Sequence, residues 1–274
     1  MRIKVSHETA YAYKQPVRSA VQLLRLTPRS CDTQFVRNWR VEVDADARLH
    51  KSEDAYGNIT HTVFIDGPLE EVRIKIEGEV DTVDAGGIVA GTYERQPVRL
   101  HLRETALTMA TDAVKALAQD AAATTGGDMI ASLHNLNLAI GSAMTFAVGT
   151  TTATTTAGEA LALKTGICQD FAHIFVSAAR TLGVPARYVS GYYLRTDTVD
   201  QDAGHAWAEA WLDRLGWVGF DPAQVACVND RYVRVAVGAD SNEAAPVRGA
   251  RTGGLNEALT VAIQVSQGRT IIEN

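Results

Sequence analysis

Gly166-Ile167-Cys168-Gln169-Asp170-Phe171-Ala172-His173 turns a loop into the most apolar helix of the chain, with a cysteine at the turn. From Cys168 onward, Phe171, Ala172, Phe175, Ala179 and Leu182 recur at helical spacing as one stripe. Ile174, Val176 and Ala178 cover other sides, so little of this helix faces water. Gly183 and Pro185 stop it. A thiol attacks as its thiolate, and the first turn of a helix favours negative charge through its free N–H groups and its dipole. The same N–H groups can hold the oxyanion that forms on an attacked carbonyl.

Two later segments supply partners for such a thiol: Gly204-His205-Ala206-Trp207 and Gly216-Trp217-Val218-Gly219-Phe220-Asp221-Pro222. Arg187–Tyr193, Ala206–Leu212 and Trp217–Asp221 read as strands, the last two joined by the short turn Asp213-Arg214-Leu215-Gly216. Alternation puts His205, Trp207, Glu209 and Trp211 on one face and the small Ala206, Ala208 and Ala210 on the other, toward the core. Asp221 ends the paired strand sixteen residues after His205, so a hairpin can set the two side by side. A carboxylate there orients the ring and stabilises imidazolium. Taken singly, a cysteine is ordinarily a small core residue, a strand histidine is ordinarily hydrogen-bonded, and Asp-Pro is an ordinary turn. The case for catalysis therefore rests on Cys168, His205 and Asp221 as a set.

Other residues fit less well. Cys168 and His173 lie five apart, about 140° around a helix, and cannot share a metal from one face. Asp170 and His173 are three apart and read as structural polar contacts near the site. Cys31 and Cys227 have no histidine motif nearby and read as packing. Trp207, Trp211 and Trp217 fit a cleft lining or a core equally well. Tyr192 and Tyr193 alternate faces, so one of them can reach a cleft. No cofactor motif and no metal-ligand spacing stands out.

Outward from this core, the first eighty residues alternate with period two. Ile3, Val5, His7, Thr9, Tyr11 and Tyr13 form one such run, Phe35, Trp39, Val41 and Val43 a second, and Val72, Ile74, Ile76 and Val80 a third. Thr27-Pro28, Tyr56-Gly57-Asn58 and Asp66-Gly67-Pro68 separate the runs. We read an all-β, sandwich-like domain over residues 1–83, a linker over 84–103 around Asp84-Ala85-Gly86-Gly87, and a catalytic core over 104–274. In the core, Glu104–Asp120 and Ile130–Met144 read as helices. Thr156-Ala157-Gly158-Glu159 reads as a capping box opening a helix through Leu163. Further strands are expected at Tyr232–Val237 and Leu259–Val265, giving an α+β core with a central helix on an antiparallel sheet.

With 274 residues, 46% of them hydrophobic, the chain has ample material for two cores. A net charge of −6 speaks against nucleic acid as a partner. The start, Met1-Arg2-Ile3-Lys4-Val5-Ser6-His7-Glu8, has no unbroken apolar stretch, so no secretory signal is expected, and no run is long enough to span a membrane. Three scattered cysteines without C-x-x-C make a reducing cytoplasm the simplest setting. Association of copies through the β domain is left open.

These segments resemble the transglutaminase-like superfamily of papain-like thiol enzymes, in the bacterial group with an N-terminal β domain. Leu23-Leu24-Arg25-Leu26-Thr27-Pro28 and the strands after it look like that domain. Gly166 to His173, His205-Ala206-Trp207-Ala208-Glu209 and Gly216 to Pro222 look like the catalytic core, and Tyr232-Val233-Arg234-Val235-Ala236-Val237-Gly238 like the segment following it. The resemblance implies a nucleophile at Cys168, a base at His205 and a carboxylate at Asp221. It also implies a peptide or protein substrate, and an acyl-enzyme opened by water (a peptidase or amidase) or by an amine (a transglutaminase). A binding module on the same fold is the reading from another class. The chain departs from the group at Ala223-Gln224, where Thr-Asn is usual, and at Ala239-Asp240-Ser241, where Arg-Asp-Tyr is common. Both lie outside the three proposed catalytic positions.

Overall fold

The computed structural model describes residues 1–254 and 257–268. The period-two runs of the N-terminal region form one antiparallel sheet bent over on itself. β1 (Arg2–Thr27) is followed by β2 (Gln34–Asp44), β3 (Ala47–Glu53) and β4 (Ile59–Thr82). β4 pairs along most of β1, from Asp81 opposite Arg2 to Ile59 opposite Thr27. The ladder breaks between Ala12 and Val17, around Pro16, which has no N–H to offer it. β2 borders the C-terminal half of β4 and β3 its N-terminal half. Tyr13, Val17, Leu24, Val63, Ile65, Val72, Ile74 and Ile76, drawn from both halves, then pack into one core, which makes the bent sheet sandwich-like. Trp39 lies over Gly78, its opposite in the ladder, where a Cβ would meet the ring at 2.2 Å.

β5 (Ile88–Val89) leaves this sheet and pairs with the core, and a 3₁₀ turn spans Val98–Leu102. α1 (Asp112–Ala122) is capped by the Thr111 side chain and α2 (Met129–Ala143) by Asp128. α1 starts later than the composition suggests, because Glu104–Ala110 forms turns held by the Thr105 and Thr108 hydroxyls. β6 (Thr145–Phe146), α3 (Ala157–Leu163) and β7 (Thr165–Gly166) lead to α4 (Cys168–Thr181). The capping box read at Thr156 forms: the Glu159 carboxylate accepts from Thr156 N–H at 2.8 Å, and the Thr156 hydroxyl accepts from Glu159 N–H at 3.3 Å.

After α4 the chain lays down β8 (Ala186–Tyr193), β9 (Asp200–Gln201), β10 (His205–Leu212), β11 (Gly216–Asp221), β12 (Ala226–Cys227) and β13 (Tyr232–Gly238). The core sheet runs β12-β11-β10-β8-β13. Ala186, Ala208 and Ala210 let α4 approach the sheet closely, and Phe175 of α4 stacks on Phe220 of β11 at 5.0 Å. α1, α2 and α3 cover the opposite side of α4, which explains why that helix is buried almost all round, its polar Asp170, His173, Ser177 and Arg180 included. Burying a side chain such as Phe175 is worth about 1.5–3 kcal/mol. β14 (Val247–Gly253) and β15 (Glu257–Gln267) return to pair with β1, so the strand expected at Leu259–Val265 exists but completes the N-terminal sheet. Among the described residues no helix is long and apolar enough to cross a membrane.

Candidate active site

Cys168 is the first residue of α4. The residue before it, Ile167, has no side-chain acceptor, so the helix start is closed from inside. Asp170 turns back and its Oδ2 accepts from Ile167 N–H at 2.8 Å and from the Thr151 hydroxyl at 2.7 Å. A Cβ on residue 166 would meet Asp170 Oδ2 at 2.6 Å, which is why the motif opens with glycine. The Cys168 side chain is half-buried against Ala172, Tyr188, Ala206 and Ala244.

His205 opens β10 and Asp221 ends β11. Ala208 stands opposite Phe220 in the ladder, so the two strands converge at His205 and Asp221. His205 Nε2 donates to Asp221 Oδ2 at 2.6 Å, and Asp221 is fully buried. Asp221 Oδ1 accepts from Ala223 N–H at 3.0 Å and Gln224 N–H at 3.2 Å, in the turn after Pro222. The imidazole lies among Tyr193 at 5.3 Å, Tyr232 at 6.0 Å and Trp207 at 6.2 Å between ring centres. Burial opposes its positive charge, but hydrogen bonding to Asp221 and Cys168 and attraction to both outweigh burial and lift the His205 pKa to about 10. The thiol, the imidazole and the carboxylate singled out by the sequence thus stand together. Their strands also show the expected facing, with Ala206, Ala208 and Ala210 packed in the core.

The remaining candidates find separate roles. His173 is fully buried, and its Nε2 accepts from Ser241 N–H at 3.0 Å. Burial drives its pKa down to about 4, so it is a neutral structural group. Tyr193 is the tyrosine beside His205, whereas the Tyr192 hydroxyl meets His7 Nδ1 at 2.8 Å. Trp207 and Trp217 are buried. Cys31, Cys168 and Cys227 are free thiols. Two side chains at the site escaped the sequence reading: Tyr232, which donates to Asp221 Oδ2 at 2.9 Å, and Thr151. Sheet order and a loop crossing bring them in, and no sequence spacing announces either. Glu209, on the His205 face, is a structural ion-pair centre held by Arg187 and Arg234, each at 2.7 Å. Among the described residues no cluster of histidine, cysteine and carboxylate side chains is placed to hold a metal ion.

Comparison with known proteins agrees with this architecture. The profile of the transglutaminase-like superfamily matches residues 115–222, and that of the bacterial transglutaminase-like N-terminal region matches residues 3–81. An uncharacterised protein of Mycobacterium bovis is 31% identical, spanning 96% of this chain and 92% of its own. One from Mycobacterium leprae is 29% identical over 97% and 99%. The crystal structure of a candidate cysteine protease from Cytophaga hutchinsonii superposes with a TM-score of 0.79 at 18% identity, covering 100% of this chain and 92% of that one, and so shares the fold. With an N-terminal sheet and a helix-on-sheet core matched in tandem, the chain belongs to the transglutaminase-like superfamily and carries the bacterial N-terminal region of that family.

Proposed function

We propose that the protein is a thiol-dependent hydrolase of amide or peptide bonds, with Cys168 as nucleophile, His205 as base and acid, and Asp221 as the carboxylate that orients the ring. One observation carries the reading: a histidine tied to a buried carboxylate shares its charge balance with a cysteine at a helix N-terminus.

The chemistry follows from the protons. The nitrogen facing Asp221 must carry a hydrogen, so Nδ1 of the neutral ring is an acceptor. With its pKa lifted to about 10 the resting ring already holds on Nδ1 the proton taken from the Cys168 thiol, and Asp221 stabilises that imidazolium. The thiolate adds to the substrate carbonyl, and the Cys168 N–H, unsatisfied within the helix, donates to the oxyanion. The tetrahedral adduct collapses as Nδ1–H protonates the leaving amine, which departs and leaves a thioester. Water, deprotonated by Nδ1, then attacks the thioester, and the carboxylic acid and the thiol are released.

Acyl transfer is the second reading, with an amine replacing water in the last step. A Pseudomonas aeruginosa relative described as a protein-glutamine gamma-glutamyltransferase favours it, at 36% identity over 74 residues. The substrate in either case is a peptide or protein, and the free thiols suit a reducing cytoplasm. Turnover of a peptide library by wild type and by Cys168→Ala tests the proposal, with and without an added primary amine. Loss of turnover in the variant is expected, and equal turnover contradicts the proposal. Amine incorporation in place of hydrolysis selects the second reading.

A further inference from the structure

Asp221 has a second side-chain donor on the oxygen that faces His205. The Tyr232 hydroxyl donates to Oδ2 at 2.9 Å, beside the 2.6 Å bond from His205 Nε2. Tyr232 is the first residue of β13, is 4% exposed, and packs against Tyr193 at 4.6 Å and Trp207 at 5.3 Å. Burial, then the neighbouring Asp221 charge, pushes its pKa far above the ordinary tyrosine value, so it remains a donor throughout the working range.

The position of Tyr232 depends on β13, the last strand of its sheet. An edge strand has backbone groups with no ladder partner. Here two amide side chains of the N-terminal region supply the missing rungs. Gln34 Oε1 accepts from Arg234 N–H at 2.8 Å, and Gln34 Nε2 donates to Arg234 O at 2.9 Å. Asn58 Oδ1 accepts from Val237 N–H at 2.9 Å, and Asn58 Nδ2 donates to Val237 O at 2.7 Å. Both amides are buried, so each rung is worth more than it would be in water. The first domain thereby sets the register of the strand that carries the tyrosine.

We propose that Tyr232 is a positioning residue: clamped in register by Gln34 and Asn58, it holds Asp221 Oδ2 under His205 so that the ring presents Nδ1 to Cys168. This rests on the Cys168, His205 and Asp221 reading above. An oxygen bound by two donors cannot swing without breaking one of them. Removing the hydroxyl leaves Oδ2 more basic and less constrained, so the imidazolium is held more strongly but less accurately. The titratable groups around the ring are Cys168, Asp221, Tyr193 and Tyr232, with the Arg231 guanidinium over Tyr193.

The test follows the His205 ring by NMR in ¹⁵N-histidine-labelled protein, in a Cys168→Ala background where no turnover is involved. Tyr232→Phe should raise the His205 titration midpoint by about half a unit or more. Incorporation of 3-fluorotyrosine at position 232 alone, a stronger donor in nearly the same shape, should lower it. In the active chain, Tyr232→Phe should reduce kcat about tenfold while KM stays within about twofold. An unmoved midpoint in both proteins, with fold retained, overturns the proposal; if Tyr232→Phe does not fold, the fluorinated protein decides alone. Should Cys168→Ala instead turn over like wild type, the hydrolase reading falls while the midpoints still judge Tyr232.

Discussion

His205 Nε2 and Asp221 Oδ2 stand 2.6 Å apart, the carboxylate wholly buried and the ring nearly so. Burial alone would make this imidazole neutral, and Asp221 and Cys168 reverse that, to a pKa of about 10. Asp221→Asn should therefore drop the His205 midpoint to its ordinary value or below, because burial is then opposed mainly by the thiol. Cys168→Ala removes the lesser contribution and should lower the midpoint by a smaller step. Histidine NMR titration of the two variants checks both, and a midpoint unmoved by Asp221→Asn contradicts the pairing.

The other buried histidines titrate in the opposite sense. His7, His101 and His173 are each pushed down to about 4, chiefly by burial. The unfolded chain binds these protons near pH 6.5 and the folded one does not, so stability is lost as pH falls from about 6.5 to 4. Each histidine contributes up to about 1.4 kcal/mol per pH unit in that window. His205 adds no slope there, since it is protonated both folded and unfolded; its contribution is complete below about 6.5 and disappears as pH rises through about 10. Urea unfolding should give a lower midpoint at pH 5 than at pH 7, and equal midpoints would count against the neutral buried rings.

The buried Glu209 carboxylate pairs with the buried Arg187 and with the partly exposed Arg234, and Arg187 lies 3.7 Å from the centre of the Trp217 ring. Burial disfavours the Glu209 charge, but the two guanidinium groups more than offset it and hold its pKa at about 2. Glu209→Ala leaves the buried Arg187 with Glu94 as its remaining carboxylate and should cost about 3 kcal/mol in urea unfolding. A loss below about 1 kcal/mol would mean the ion pairs are not structural.

Gly166→Ala should act on the site without touching any reacting group. Its Cβ would displace the Asp170 carboxylate that closes the first turn of α4. We expect a loss of about 1–2 kcal/mol, the usual cost of a helix cap, together with slower alkylation of Cys168 by iodoacetamide. Unchanged stability and alkylation would mean that Asp170 does not cap α4.

Much of this site is legible in the sequence because its parts are local. Cys168 sits at a helix start announced by Gly166 and an apolar stripe, and His205 and Asp221 lie on strands that one short turn makes neighbours. The capping box at Thr156 is equally local. What escaped is non-local. Tyr232 reaches Asp221 because β13 joins the sheet beside β8, and β15 joins β1 across more than two hundred residues. Period two at Leu259–Val265 marks a strand but names no partner for it. The residues around Asp84–Arg103 read as a linker from their glycines, yet β5 pairs with β11 and Glu94 binds the buried Arg187 at 2.9 Å.

If Cys168 is the nucleophile, a covalent acyl group forms on its sulfur during turnover. Acid-quenched samples of the protein with a turned-over peptide, digested and weighed by mass spectrometry, reveal such a group. The peptide containing Cys168 should gain the mass of the substrate acyl group, and Cys168→Ala should show neither the adduct nor turnover. Turnover by wild type with no adduct at Cys168, and undiminished turnover by Cys168→Ala, would contradict that role for Cys168.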